Sequence, residues 1–191
     1  SLKWSGQYEY MQRARDRLAY VVPLTLAVIV VLLFMNFRSF THVAILMGTL
    51  PLALTGSVWL MYALGYDFSI AVGVGVIALA GVAVETAVLM LVYLDLAWQA
   101  ADQPPSDRET VRALVLEGAG RRVRPVLMTA GATIIGLLPI LFGSGTGSEV
   151  MSRLAAPMVG GMLSSVVLTL LVIPVIYLLW RGGARADVSS R

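Results

Sequence analysis

The chain has 191 residues, of which 58% are hydrophobic and only 13% are charged, and its net charge is +3. Soluble domains average about 25% charged residues, so this composition excludes an ordinary water-soluble domain and indicates several membrane spans. Cysteine is absent and histidine occurs once, which excludes disulfides, thiolate metal sites and clusters of imidazole ligands. The small positive charge is dispersed among flanking loops, where it fits lipid headgroups and not nucleic acid.

Five runs are long and apolar enough to cross a bilayer, which takes about 20 residues. They cover residues 20–37, 42–64, 68–94, 123–142 and 154–180. We therefore predict an all-α fold, a polytopic membrane helix bundle with five transmembrane helices that form a single transmembrane domain over residues 1–191. The chain opens on Ser1 and a polar stretch without a signal-peptide layout, so we expect it to be a piece of a longer protein.

Local sequence patterns predict how the first span begins and how the second span packs and ends. A polar helix over residues 8–20 is expected to run directly into the first span. Gly56 and Ser57 in the second span are small enough to let helices approach closely in lipid. Gly65 is a candidate for the residue that follows the end of the second helix.

The longest connection, between the third and fourth spans, contains its own predicted helix. Ser106 and Glu109 form a capping box, and apolar residues recur behind it at helical spacing. We predict an amphipathic helix over about residues 107–119 that lies on the cytoplasmic membrane surface and ends at Gly118 and Gly120. A structural connector is the simplest interpretation of this helix.

Basic residues predict the orientation of the bundle. With the N-terminus outside, nine of the 14 Lys and Arg residues face the cytoplasm, and the positive-inside rule favours this arrangement. Arg13, Arg15 and Arg17, close to the first span, favour the reverse. The cytoplasmic set is Arg38, Arg108, Arg112, Arg121, Arg122, Arg124, Arg181, Arg185 and Arg191.

Glu85 is the one charged residue in the third span. A charge at the centre of a membrane helix costs roughly 2.5 to 3.5 kcal/mol, so such a residue marks a candidate functional site. Because desolvation disfavours the charged form of a carboxyl group, Glu85 is a candidate proton carrier. The alternative is a neutral acid that is hydrogen-bonded to a neighbouring helix.

Two further side chains are candidates for chemistry. Thr129 in the fourth span would bring a hydroxyl close to Glu85 in a compact bundle; its alternative is a hydrogen bond to its own helix backbone. Met151, behind the GSGTGSEV turn, is a candidate thioether ligand for a soft ion such as Cu(I), although most methionines in spans only pack. The sequence offers no obvious pair of a nucleophile and a general base, so an intramembrane enzyme is not expected.

Several segments resemble the heavy-metal branch of the resistance-nodulation-division (RND) efflux pumps. They are SGQYEY near the start, LAGVAVE in the third span, RVRPVLMT at the fourth, and GLLPILFGSGTGSEVMSRLAAPM with the GGM that follows. The resemblance runs from about Trp4 to Trp180. Within the branch the chain is most similar to the copper(I) and silver(I) exporters, because other members generally lack an acid at the position of Glu85.

The resemblance implies that the chain is the last five of twelve transmembrane helices of a bacterial inner-membrane pump. It implies a homotrimer, driven by inward proton flow and docked to a periplasmic adaptor protein and an outer-membrane channel. Such a pump is a proton/metal antiporter and not an enzyme; Cu(I) or Ag(I) is its substrate, and no cofactor is expected. The resemblance assigns Glu85 and Thr129 to a proton relay and Met151 to the metal path.

One position departs from this resemblance. The copper and silver exporters carry a lysine directly after the proline of RVRP as a partner of the glutamate, and here that position is Val126. Either the proton relay works without this lysine, or the exported ion differs from that of the copper and silver exporters. Two alternatives stay open: an exporter of divalent ions such as Zn(II), Co(II) or Cd(II), and a membrane structural or assembly protein in which Glu85 is a packing residue.

Overall fold

The computed structural model describes residues 7–101 and 108–186, which are helical apart from short connections. The helices are α1 (Gln7–Phe37), α2 (Phe40–Leu64), α3 (Ile70–Gln99), α4 (Arg108–Leu141), α5 (Ser148–Val167) and α6 (Ile173–Ala186). A π-helical turn, Leu168–Val172, joins α5 to α6. Within the described residues, five continuous helical segments are long and apolar enough to cross a membrane. The predicted all-α bundle with five spans is confirmed.

The chain divides into two units, and the first of them ends at Ala44. It consists of α1 and the start of α2. The rings of Phe34 and Phe40 are 4.4 Å apart between centroids, and Phe37 stacks on His42 at 5.2 Å. Because α1 is unbroken from Gln7 onward, the polar stretch does continue into the first span, as its sequence predicts.

In the second unit, α3 packs against α4, α5 and α6, and the rest of α2 meets α5. Gly56 and Gly160 pack so closely that an added Cβ atom on either glycine would collide with the backbone carbonyl of the other. The Ser57 hydroxyl donates a hydrogen bond to the carbonyl oxygen of Pro157 at 2.6 Å. Small residues thus bring two membrane helices into backbone contact, as predicted for the second span.

The second helix, α2, ends just before Gly65, as the sequence predicts. Gly65 adopts a left-handed backbone conformation with φ of 68°. Its N–H donates to the carbonyl of Tyr62, and the N–H of Tyr66 donates to the carbonyl of Met61. This pair of bonds forms a Schellman motif, which satisfies carbonyls at the end of a helix.

The connection before the fourth span requires a correction. Residues 102–107, and with them Ser106 of the capping box, lie outside the described residues. From Arg108 the helix continues through Gly118 and Gly120 into the fourth span, so it neither ends there nor forms a separate element. Gly118 serves close packing instead: an added Cβ would lie 3.0 Å from the carbonyl oxygen of Tyr93 on α3.

The apolar face of this segment is also placed differently from the prediction. Val111, Val115 and Ala119 recur every four residues along α4 and are almost fully buried. Their burial within the bundle, and not against lipid, makes the segment part of the helix that forms the fourth span. A period of four residues describes a packed face and a membrane-surface face equally well, which is why the sequence did not distinguish them.

The last span changes its helical geometry just before Pro174. The N–H of Ile173 donates to the carbonyl of Leu168, five residues earlier. Proline lacks an N–H, and its ring crowds the preceding turn of an α-helix. The wider π-helical turn accommodates this proline and keeps the span continuous.

Candidate functional site

A groove of about 320 Å³ opens between α3, α4 and α5. Its walls are mainly apolar. The polar residues that line it are Glu85, Thr86, Arg122, Thr129, Thr133 and Ser165. The fold therefore brings Glu85 and Thr129, the two candidate relay residues on different spans, to one groove.

Glu85 lies on the open side of this groove. Its side chain is exposed, whereas Ala83 and Ala87 on either side of it along α3 are 2% and 1% exposed. Within the described part of the chain, no side chain or backbone group forms a hydrogen bond or ion pair with its carboxylate.

Three threonine hydroxyls line the groove, and each donates its proton to its own helix. Thr86 donates to the carbonyl of Val82 at 2.6 Å, Thr129 to that of Pro125 at 3.0 Å, and Thr133 to that of Thr129 at 2.8 Å. A hydroxyl that has donated its proton still has lone pairs that accept one. The backbone bonds thus fix these oxygens as acceptors for a protonated carboxyl group or for water.

The basic side of the groove is built by α4. Val126, at the position where the resemblance leads us to expect lysine, is 1% exposed and lines the groove. One turn earlier, Arg122 is half-buried and also lines it, with its guanidinium 5.2 Å from the ring centroid of Tyr93. The adjacent Arg121 instead forms an exposed ion pair with Glu117 at 2.7 Å.

Met151 lies apart from the groove. It occupies the first turn of α5, is 57% exposed, and follows a turn in which Gly145 and Gly147 have positive φ angles of 145° and 89°. The methionine of α5 that lines the groove is Met162, which lies eleven residues further on, or roughly 16 Å along the helix axis. Any role of Met151 is therefore separate in space from that of Glu85.

The sequence did not reveal a partly buried polar cluster near the C-terminal end of α3. The hydroxyl of Tyr177 on α6 donates to Asp95 at 2.6 Å. Arg181 lies 3.6 Å from the same carboxylate oxygen, with its guanidinium over the rings of Trp98 and Trp180. The predicted span stopped before Asp95 because the apolar run stops there. The four-residue spacing of Tyr177 and Arg181, which places them on one helix face, was the available signal.

Comparison with known proteins identifies the family. The AcrB/AcrD/AcrF family matches residues 1–181. The chain belongs to this family. The resemblance of the sequence to RND efflux pumps is thereby confirmed.

Several proteins that are similar to this chain are named for cation efflux or metal resistance. The cation efflux system protein CusA of Escherichia coli strain K12 is 46% identical over 94% of this chain and 18% of its own length. The putative cation efflux system protein SilA of Salmonella typhimurium is 44% identical over 99% and 18%. The cobalt-zinc-cadmium resistance protein CzcA of Cupriavidus metallidurans is 39% identical over 92% and 16%.

A solved structure supports the same assignment. A crystal structure of a heavy metal efflux pump matches with a TM-score of 0.78 and 38% sequence identity, over 91% of this chain and 16% of that one. The chain thus spans less than a fifth of the length of these family members.

Proposed function

We propose that the chain is the C-terminal transmembrane part of a proton-driven pump that exports Cu(I) or Ag(I) across the bacterial inner membrane. The observation that carries the proposal is the groove, which an exposed carboxylate within a membrane span lines together with hydroxyl acceptors on the next helix. A carboxylate is costly at this depth, and proton carriage accounts for its presence on an open surface better than packing does.

The proton step uses Glu85 and the acceptors beside it. A proton that enters from the outside binds the Glu85 carboxylate, and the neutral acid then donates a hydrogen bond to an oxygen such as that of Thr129. Release of the proton to the cytoplasm restores the carboxylate. The change of charge in an apolar groove gives two states with different electrostatic energy, which is what a coupled conformational change requires.

The cargo is inferred from soft-ion chemistry. The resemblance to copper(I) and silver(I) exporters includes the acid at Glu85, and thioethers such as that of Met151 favour Cu(I) and related ions. A divalent ion is the second candidate, because Val126 replaces a lysine inside the groove and CzcA, named for cobalt, zinc and cadmium, is 39% identical.

The remaining features of the proposal concern topology and assembly. We place the N-terminus of this chain in the periplasm and its C-terminus in the cytoplasm, on the basis of the distribution of basic residues. We further propose that the full-length pump is a homotrimer docked to a periplasmic adaptor protein and an outer-membrane channel.

Metal resistance of cells tests the cargo. Cells that lack their own metal exporters and express the full-length pump are expected to grow at higher copper and silver concentrations than cells with an empty vector, with no gain against zinc or cobalt. Protection against zinc or cobalt alone would favour the divalent exporter. An absence of protection against all four metals would contradict the proposed function.

Replacement of Met151 by leucine is expected to cause a partial loss of copper and silver resistance. Leucine has a similar size but no sulfur, and the side chain is 57% exposed, so little packing is lost. The matched control is Met128→Leu, which removes another exposed methionine (66% exposed) from the bundle and is expected to leave resistance unchanged. Equal resistance of both variants and the wild type would remove Met151 from the metal path.

A further inference from the structure

The groove between α3, α4 and α5 is lined by one carboxylate together with several hydroxyl groups. We propose that these oxygens form a binding site for a monovalent alkali cation such as Na⁺. Glu85 supplies the negative charge, and Ser165, Thr86 and Thr129 supply hydroxyl ligands. Hard cations are bound through oxygen atoms of this kind. The inference goes beyond the proposed function, because cation binding does not require proton transport.

Helix contacts place Ser165 at nearly the same depth as Glu85. Gly161 on α5 packs against the side chain of Leu79 on α3. The two helices belong to alternate spans and run in the same direction. Ser165 lies four residues beyond its end of this contact and Glu85 six residues beyond the other end. The two residues therefore differ in depth by about 3 Å along the axis.

A second contact places Thr129 in the same way. Gly118 on α4 packs against the backbone of Tyr93 on α3, and these consecutive spans run in opposite directions. Thr129 lies eleven residues after Gly118, and Glu85 lies eight residues before Tyr93. The difference of three residues corresponds to about 5 Å. Since Thr86 adjoins Glu85 on α3, all four side chains line one level of the groove.

Ser165 is the ligand that the packing explains least. Its residue is only 6% exposed, yet within the described part of the chain its hydroxyl forms no hydrogen bond. The oxygen is not sealed in the bundle either, so it borders the groove that the residue lines. A buried hydroxyl without a partner costs free energy, and a bound cation would supply the missing contact.

The two threonines present their oxygens in a suitable state. The hydroxyls of Thr86 and Thr129 donate their protons to the carbonyls of Val82 and Pro125. Their lone pairs stay available, and a cation needs lone pairs and not protons. The backbone bonds thus hold both oxygens as ligands.

The charges in the groove favour a monovalent ion. Val126 stands where a lysine is expected, so no ammonium group lies beside Glu85. The guanidinium of Arg122 lies over Tyr93, eight residues or about 12 Å along α3 from Glu85. One positive charge would neutralise the carboxylate, whereas a divalent ion would leave a net charge between apolar walls, which is costly.

The test is equilibrium binding of radiolabelled Na⁺ to the purified full-length pump in detergent, with choline chloride to keep the ionic strength constant. The wild type is expected to bind Na⁺ saturably, and Glu85→Gln is expected to lose this binding. Ser165→Ala removes one ligand oxygen and little volume. Its Na⁺ affinity is expected to fall at least about tenfold, as for the loss of one polar contact to a charged group. Unchanged affinity in either variant overturns the inference.

Ser152→Ala is the matched control. Ser152 is on the same helix and is also 6% exposed, but its hydroxyl donates to the carbonyl of Glu149 at 3.2 Å and it lies outside the groove. Its variant is expected to bind Na⁺ like the wild type. If Ser165→Ala is not produced at wild-type abundance, Thr86→Val takes its place; valine keeps the shape without the hydroxyl, and wild-type affinity there would equally refute the site.

Two further measurements make the outcome specific. An equal concentration of unlabelled Mg²⁺ is expected to leave Na⁺ bound, and displacement would contradict a monovalent site. Lower pH is expected to release Na⁺, because a proton takes the same carboxylate. Proton-coupled Ag(I) transport without Na⁺ binding would refute this site alone. Na⁺ binding together with full metal resistance of Glu85→Gln would instead refute the proton relay alone.

Discussion

Replacement of Glu85 by glutamine in the full-length pump is expected to abolish copper and silver resistance and the proton flux that accompanies transport. Glutamine is nearly isosteric with the protonated acid but cannot bind and release a proton. Because Glu85 is exposed and, within the described part of the chain, makes no hydrogen bond that glutamine would lose, the protein is expected to fold and reach the membrane. The loss would therefore report on proton chemistry and not on structure.

Equal membrane abundance of wild type and variant is the first requirement of this experiment. Glu109→Gln is the matched control, since Glu109 is an exposed glutamate at the start of α4 and outside the groove; full resistance is expected. Full resistance in Glu85→Gln would instead support the membrane structural or assembly role, for which an amide serves as well as a neutral acid.

The sequence was sufficient for the features that depend on local patterns. Apolar runs of spanning length predicted the five spans, and Gly65 marked the end of α2 because its φ of 68° suits glycine. The expectation that a compact bundle brings Thr129 close to Glu85 agrees with the groove that both residues line.

The missed features depend on which helices meet. Gly118 was interpreted as a helix end, since glycine favours helix ends and close helix contacts alike, and only the position of α3 distinguishes the two. The partners Tyr177 and Asp95 are 82 residues apart in the chain, and no local pattern joins them. Arg122 and Arg121 are sequence neighbours, yet they face different partners because α4 turns each to a different side.

Substitution of Gly160 by alanine is expected to lower the thermal stability of the full-length pump. An added Cβ at this position would meet the carbonyl oxygen of Gly56 and lie 2.6 Å from the Cβ of Leu60. Neither atom is the end of a flexible side chain, so α2 and α5 must move apart. Overpacking of this kind costs about 1 to 3 kcal/mol.

The surrounding lipid does not offset the free-energy cost of Gly160→Ala. Association of membrane helices depends on van der Waals packing and interhelical hydrogen bonds, because lipid tails are as apolar as the side chains they replace. Separation of α2 and α5 would weaken both, including the bond from the Ser164 hydroxyl to the carbonyl of Ala53, which is 2.6 Å long.

The control for Gly160→Ala is Gly120→Ala, which adds the same methyl group to a helical glycine with no atom within 4 Å of the new Cβ. There alanine is expected to leave the melting temperature unchanged or to raise it slightly, because alanine is favoured over glycine in a helix interior by up to about 1 kcal/mol. Thermal unfolding of the detergent-purified pump measures both variants. Equal melting temperatures for the two variants would show that the contact between Gly56 and Gly160 does not limit stability. A lower melting temperature for Gly160→Ala alone would show that this contact holds α2 against α5.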